Sequence, residues 1–220
     1  MHYQPGKTPH GLPFDPFKSC VVPRPIGWIS TRSDKAGDNL APYSQFTNVT
    51  FDPPTVLFCA NQGNDGRRKD SVINAEESGV FCWNMATWDL REAVNMSAEE
   101  LPRDADEFTH AGLTRIEALS IDCPMVAASP VRFECEYLQT VTIPGNGTMG
   151  TADVVFGRVV AVHIEDAFIT SDGRIDVLKA RPIARMGYFD YTAVDSRFEM
   201  IIPGSTKLLV GLGGNAAAND

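Results

Sequence analysis

Residues 61–74, NQGNDGRRKDSVIN, run a glycine-containing loop into three consecutive cations, Arg67, Arg68 and Lys69, followed by Asp70 and Ser71 where an apolar helical pattern begins. Cations, a hydroxyl and the unpaired N–H groups of a helix start suit a phosphate, because the helix dipole and the free donors both favour an anion. The same residues also suit a solvated loop closed by an Asp70 N-cap, and spacing alone leaves both readings open. A second candidate is GDNLAPYSQF, residues 37–46, where strand-like alternation carries a proline in its middle. Proline has no N–H to give a ladder, so Pro42 marks an edge, a bulge or an end of pairing, and something other than a neighbouring strand can use the backbone there. Tyr43 and Phe46 flank that break.

Other chemistries lack their residues. No GxxxxGK[ST] occurs and no GxGxxG opens a helix after a strand, so the common nucleotide folds are unsupported. The four histidines, His2, His10, His110 and His163, are far apart and show no HExxH spacing, so no metal site is expected. Ser30 and Ser44 have no GxSxG setting. His163, on one side of a strand with Val159 and Ala161, reads as a satisfied barrel histidine, and Trp28, Trp83 and Trp88 read as core.

The elements that must position these groups are mostly strands. VVPRPIGWIST (21–31), TVLFCAN (55–61), VFCWNM (80–85), VRFECEYLQTVT (131–142) and VVFGRVVAVHI (154–164) are dense in β-branched and aromatic residues and bounded by turn formers. Residues 33–39 supply a turn with Gly37 free for positive φ. Helical patterns are few: 69–78 with Asp70 as cap, 87–96 with Thr87 as cap, a capping-box spacing in SAEE at 97–100, and a turn over 105–113 before Gly112. Many strands with helices set between the early and late ones predict a mainly β chain with a few helices, a small barrel rather than a doubly wound sheet.

A chain of 220 residues fits one large domain, and its formal charge of −9 argues against a nucleic-acid or membrane-surface partner. The five cysteines are scattered and three lie in apolar runs, which is how free thiols sit in a reducing compartment; a cytoplasmic setting is expected. Residues 1–19 lack an apolar leader segment and read as an extended arm, and 192–220 as an extension ending in a mobile tail, GLGGNAAAND.

The ordered series PRPIGWIST, NLAPYSQF, FDPPTVLF, RKDSVIN, VFCWN, DEF-x-x-AGL, FECEY and GRVVAVHI resembles the flavin reductase-like family over residues 20–191. The resemblance implies a Greek-key split β-barrel that binds FMN near the interface of a homodimer. It implies that Asn39, Leu40, Ala41, Pro42, Tyr43 and Ser44 line the flavin ring and ribityl chain, with Ser30 and Thr31 beside them. Lys69, Asp70 and Ser71 would hold the phosphate, with Arg68 as auxiliary cation. The implied activity is NADH- or NADPH-dependent flavin reduction serving a downstream monooxygenase or other redox partner. A non-enzymatic FMN carrier and a relative of the pyridoxamine phosphate oxidases are the alternatives. Four positions depart from the family pattern: Ser71 where threonine is common, Gln45 where some relatives have tryptophan, Glu107 where some have lysine, and Tyr188 at a usual glycine.

Overall fold

The computed structural model describes residues 1–200; the expected mobile tail lies outside them. The strands are β1 (Arg24–Pro25), β2 (Gly27–Ser33), β3 (Gly37–Tyr43), β4 (Phe46–Phe51), β5 (Pro54–Asn61), β6 (Val80–Asn84), β7 (Arg115–Glu117), β8 (Pro124–Val126), β9 (Val131–Ile143), β10 (Ala152–Ile164), β11 (Ile183–Gly187) and β12 (Asp190–Ala193). The helices are α1 (Asp70–Ser78), α2 (Arg91–Met96), α3 (Glu107–His110) and α4 (Val177–Ala180). The fold is mainly β, as the strand-dense sequence predicts.

Seven antiparallel strands form the main sheet in the order β3-β2-β6-β9-β10-β5-β4. Within it β5, β6, β9 and β10 take Greek-key order, three successive neighbours with the first strand returning beside the last. The two edge strands, β3 and β4, are separated in the chain by Ser44 and Gln45 alone. Opposite edges joined by two residues must lie close in space, so the sheet curls into a barrel whose seam is split at this bend. The Gln45 carbonyl accepts from the Cys59 N–H at 2.9 Å, which anchors the seam to β5.

Pro42 lies within edge strand β3, as the edge reading expects, and does not end its pairing, contrary to the reading that pairing stops there. β3 pairs with β2 through Tyr43↔Gly27, including Pro42↔Trp28. Alternate residues of an edge strand turn their backbone groups away from the partner. Leu40 is one of these, since its N–H goes to the Glu107 carboxylate at 3.3 Å, and Pro42 has the same parity. The missing N–H falls on the open side, where no ladder needs it.

Inside the barrel Ile29, Phe58, Phe81, Val72 and Val155 are fully buried, each worth roughly 1.5 to 3 kcal/mol of burial for side chains of this size. Phe46 stacks on Trp83 at 5.3 Å and Phe58 meets Phe81 edge-on at 5.4 Å. A second cluster around Trp28, Leu40 and Phe108 packs β2 and β3 against α2 and α3. Trp88 departs from its expected core place: it is 40% exposed, with the Arg91 and Arg181 guanidiniums 4.3 and 4.9 Å from its ring. His163 is satisfied as expected, 2.6 Å from the wholly buried Glu134 carboxylate.

Three helix boundaries differ from the sequence pattern. Lys69, not Asp70, is the N-cap of α1, and no side chain caps it. Thr87 bridges to Pro182, so α2 begins four residues later, after Leu90. Ser97 closes α2 instead of opening another helix, and its hydroxyl accepts from the buried Trp28 indole at 2.9 Å.

Candidate functional site

A cleft of about 640 Å³ opens along the outer edge of β3 and the bend at Ser44. Four pieces of chain supply most of its wall: Asn39 with residues 41–45, the loop 63–70 leading into α1, the segment 97–101 after α2, and Arg185 with Tyr191 from the β11–β12 hairpin, with Ile26, Cys59, Asn61 and Glu107 completing it. The two stretches singled out by their chemistry thus meet in one place. A tertiary fold brings them together, because β5 returns the chain from the bend at Ser44 to the cationic loop.

Of the twelve sequence-derived residues, Asn39, Ala41, Pro42, Tyr43, Ser44, Arg68, Lys69 and Asp70 line the cleft. Ser30, Thr31, Leu40 and Ser71 do not, and all four are fully buried. The Ser30 hydroxyl donates to the Pro124 carbonyl at 2.6 Å, and that of Thr31 accepts from Asn74 at 3.1 Å. Leu40 belongs to the core beneath α3. Ser71 accepts from the Asn39 amide at 2.9 Å, so it braces a cleft residue from behind, and its hydroxyl lies near that of Tyr43.

The cations differ in how they are held. Arg68 forms a two-pronged bond to Glu76, 2.7 Å at each prong, and its Nε donates to Asp153 at 2.9 Å. Glu76 and then Asp153 hold that guanidinium firmly charged and committed. Lys69 bonds Glu100, and Asp70 is bonded by Arg103, which also reaches Asn74 at 2.9 Å. Arg67 is exposed, lines the cleft, and has no ion pair among the described residues. The resemblance marks Arg68 and not Arg67, yet nothing local separates the two; the partners of Arg68 lie 8 and 85 positions away.

Three ionisable groups on the wall, Tyr43, Glu107 and Cys59, are raised by burial. The Tyr43 hydroxyl is pushed well above its ordinary range by desolvation, opposed by the nearby Ser71 hydroxyl and reinforced by the charges of Asp70 and Glu107. The phenol therefore stays neutral and can serve as a hydrogen-bonding group. Desolvation also raises the Glu107 carboxyl, with the Leu40 N–H pulling the other way and Asp70 adding to the rise.

A group whose folded pKa is raised gives the folded chain the tighter hold on a proton, so stability falls as pH climbs above the ordinary carboxylate range. Glu107→Gln keeps an acceptor for Leu40 and removes the ionisation. Its urea midpoint is expected to match the parent near pH 4 and to exceed it near neutral pH. A constant difference across that interval would show that ionisation of Glu107 does not carry it.

Gln45, Cys59, Glu99, Glu100, Leu101, Arg185 and Tyr191 also line the cleft. Arg185 and Tyr191 lie in the ARMGYFDYT stretch, joined by a 2.6 Å bond and a ring contact of 4.7 Å. The 97–101 segment gave only a capping pattern, and its place follows from the end of α2. Among the described residues no group of three or more His, Cys, Asp or Glu is gathered as a metal site, and no helix is long and apolar enough to cross a membrane.

The family profile described as "Flavin reductase like domain" matches residues 19–177. An uncharacterised protein of Halalkalibacterium halodurans is 33% identical over 184 residues, 84% of this chain and 88% of that one. The FMN reductase (NADH) RutF of Bradyrhizobium diazoefficiens is 31% identical over 135 residues, 61% of this chain and 67% of the relative. The crystal structure of nitrilotriacetate monooxygenase component B from Bacillus cereus superimposes with a TM-score of 0.83 at 28% identity, covering 91% of this chain and 98% of that one.

Proposed function

The chain belongs to the flavin reductase-like family, and from that premise we propose that it is an oxidoreductase that holds FMN in the cleft beside β3, takes hydride from NADH or NADPH, and serves a downstream electron acceptor. One observation supports this above the others: the cleft joins the open backbone edge of β3 to a cationic loop at the start of α1. A flavin mononucleotide has a flat polar-edged ring at one end and a dianion at the other, and the two walls match those two ends.

Ala41, Pro42 and Ser44 present small side chains and backbone that let a ring approach closely, with Tyr43 offering a neutral hydroxyl. Lys69, Arg67 and the first N–H groups of α1 take the phosphate. Asn39 and Ser71 act by positioning, through their mutual bond and the Ser71–Tyr43 contact. Arg68 braces the loop from Glu76 and Asp153 rather than meeting the ligand first, and Ser30 and Thr31 support β2 from within. Asp70 orders the segment after α2 through Arg103. When bound, FMN supplies the hydride-accepting and electron-transferring chemistry, and the chain supplies orientation and electrostatics.

The proposal includes a homodimer, the commonest closed assembly, which would cover exposed apolar side chains such as Phe51, Val162 and Phe189. It also includes a cytoplasmic setting, in keeping with five free cysteines. A monooxygenase is the acceptor class suggested by the component B relative. Sedimentation followed at flavin wavelengths, paired with NADH and NADPH oxidation at rising FMN, tests the reading. Expected are flavin travelling with a dimer and saturable nucleotide oxidation. Bound flavin with no saturable nucleotide dependence would make the protein a carrier instead.

A further inference from the structure

Three of the four basic side chains in the cleft are already engaged. Arg68 is held by Glu76 and Asp153, Arg185 by the Tyr191 hydroxyl and the Tyr188 carbonyl, and Lys69 by Glu100. Glu100 differs from the other acceptors. Its side chain is 75% exposed, and Lys69 is its one ion-pair partner among the described residues. Lys69 holds that carboxylate ionised, keeping its pKa below the usual glutamate value.

Glu100 belongs to the segment between α2 and α3, which lines the cleft over residues 97–101 and is tied to its neighbours three times. Glu100 bonds Lys69, Arg103 bonds Asp70 and Asn74, and Glu99 lies 2.9 Å from the His110 ring. Arg103 and Glu99 fix the backbone on either side, so the Glu100 carboxylate is delivered to Lys69 even though water surrounds it.

We infer that Glu100 is an internal competitor for the ligand's phosphate: in the free protein its carboxylate occupies Lys69, and a phosphate arriving there must displace it. The inference rests on the proposed seating of the FMN phosphate at Lys69. One ammonium cannot give its full attraction to a carboxylate and a dianion together, and the two anions repel at contact range. Binding therefore exchanges one ion pair for another instead of creating one. The net gain from phosphate is reduced, and release is assisted by a carboxylate that returns to the vacated cation. Such a site favours a flavin that exchanges with solution over one held through many turnovers.

Glu100→Gln keeps the shape and removes the charge, and because the side chain is mostly exposed the fold is not at risk. FMN affinity is expected to rise about 3- to 10-fold, within the range of exposed charge pairs, with FMN dissociation slowed and riboflavin affinity unchanged. In a Lys69→Ala background the same change should lose most of its effect, since nothing then anchors the carboxylate beside the phosphate. Fluorescence titration of FMN and riboflavin against the parent, both single variants and the double variant reads every arm. If Lys69→Ala leaves the preference of FMN over riboflavin unchanged, the phosphate seating itself fails. If Lys69→Ala erodes that preference while Glu100→Gln shifts neither flavin, or both alike, or weakens FMN, competition by Glu100 is overturned and the seating survives.

Discussion

Lys69→Ala is expected to weaken FMN binding by about 10- to 150-fold while leaving riboflavin affinity nearly unchanged. The magnitude follows from a hydrogen bond to a charged group, roughly 1.5 to 3 kcal/mol, lost at the end of the ligand that riboflavin lacks. Two structural points make the variant a clean probe. Lys69 is the N-cap of α1 but makes no capping bond with its side chain, so alanine removes no helix-stabilising contact. The lysine side chain is also about a third exposed, so no core is disturbed. Isothermal or fluorescence titration with the two flavins separates the phosphate contribution from any general change in the cleft. Equal losses for both flavins would make Lys69 a structural element of the loop.

Both halves of the candidate site were legible in the sequence because each carries a local anomaly. A proline inside an alternating strand and three cations before a helix pattern are visible without any neighbour. What joins them is not local. Arg67 and Arg68 look equivalent in RRK, yet Arg68 is consumed by Glu76 and by Asp153 on β10, a partner that only barrel closure supplies. Glu100 enters the cleft from an element whose own sequence says nothing of it, whereas Arg185 and Tyr191 come from the ARMGYFDYT block, which resembles the family's C-terminal ending.

The strands at 55–61, 80–84 and 131–143 could be read because β-branched and aromatic residues cluster there. The small sheet β1-β11-β12 could not, since a two-residue strand ending in Pro25 has no periodicity to detect. Thr87 had the chemistry of a helix cap but was taken by a bridge to Pro182, a case of tertiary pairing overriding a local preference. Tyr188 shows the reverse. It adopts φ of 48°, the left-handed region glycine favours, without being glycine, so the turn forms without the residue that makes it easy.

Gly157→Ala is expected to cost about 1 to 3 kcal/mol of stability, a fall of about 2 to 12 °C in Tm for a chain of this size. Gly157 sits on β10 where the ladder to β9 shifts register, facing the barrel interior. A Cβ there would lie 2.3 Å from Phe81 Cζ and 2.4 Å from its Cε1, with the Cys135 side chain at 3.3 Å. Phe81 is wholly buried and cannot swing into solvent. Its ring meets Phe58 edge-on, and Phe58 in turn packs 5.2 Å from Tyr43, whose other side forms the cleft wall. Overpacking at Gly157 is therefore transmitted by close-packed rings to the place where the flavin ring is proposed to lie. FMN and riboflavin should weaken together, by similar factors, which is the opposite signature to Lys69→Ala. Gly147→Ala provides the control, because its added Cβ would meet no atom within 4 Å. Shortening the obstructing ring with Phe81→Leu in the Gly157→Ala background should recover part of the lost stability if the clash is the cause. Calorimetry on the four proteins, with flavin titrations beside it, decides the matter: an unchanged Tm for Gly157→Ala would mean that the ring stack yields freely and that the barrel interior does not set the shape of the cleft.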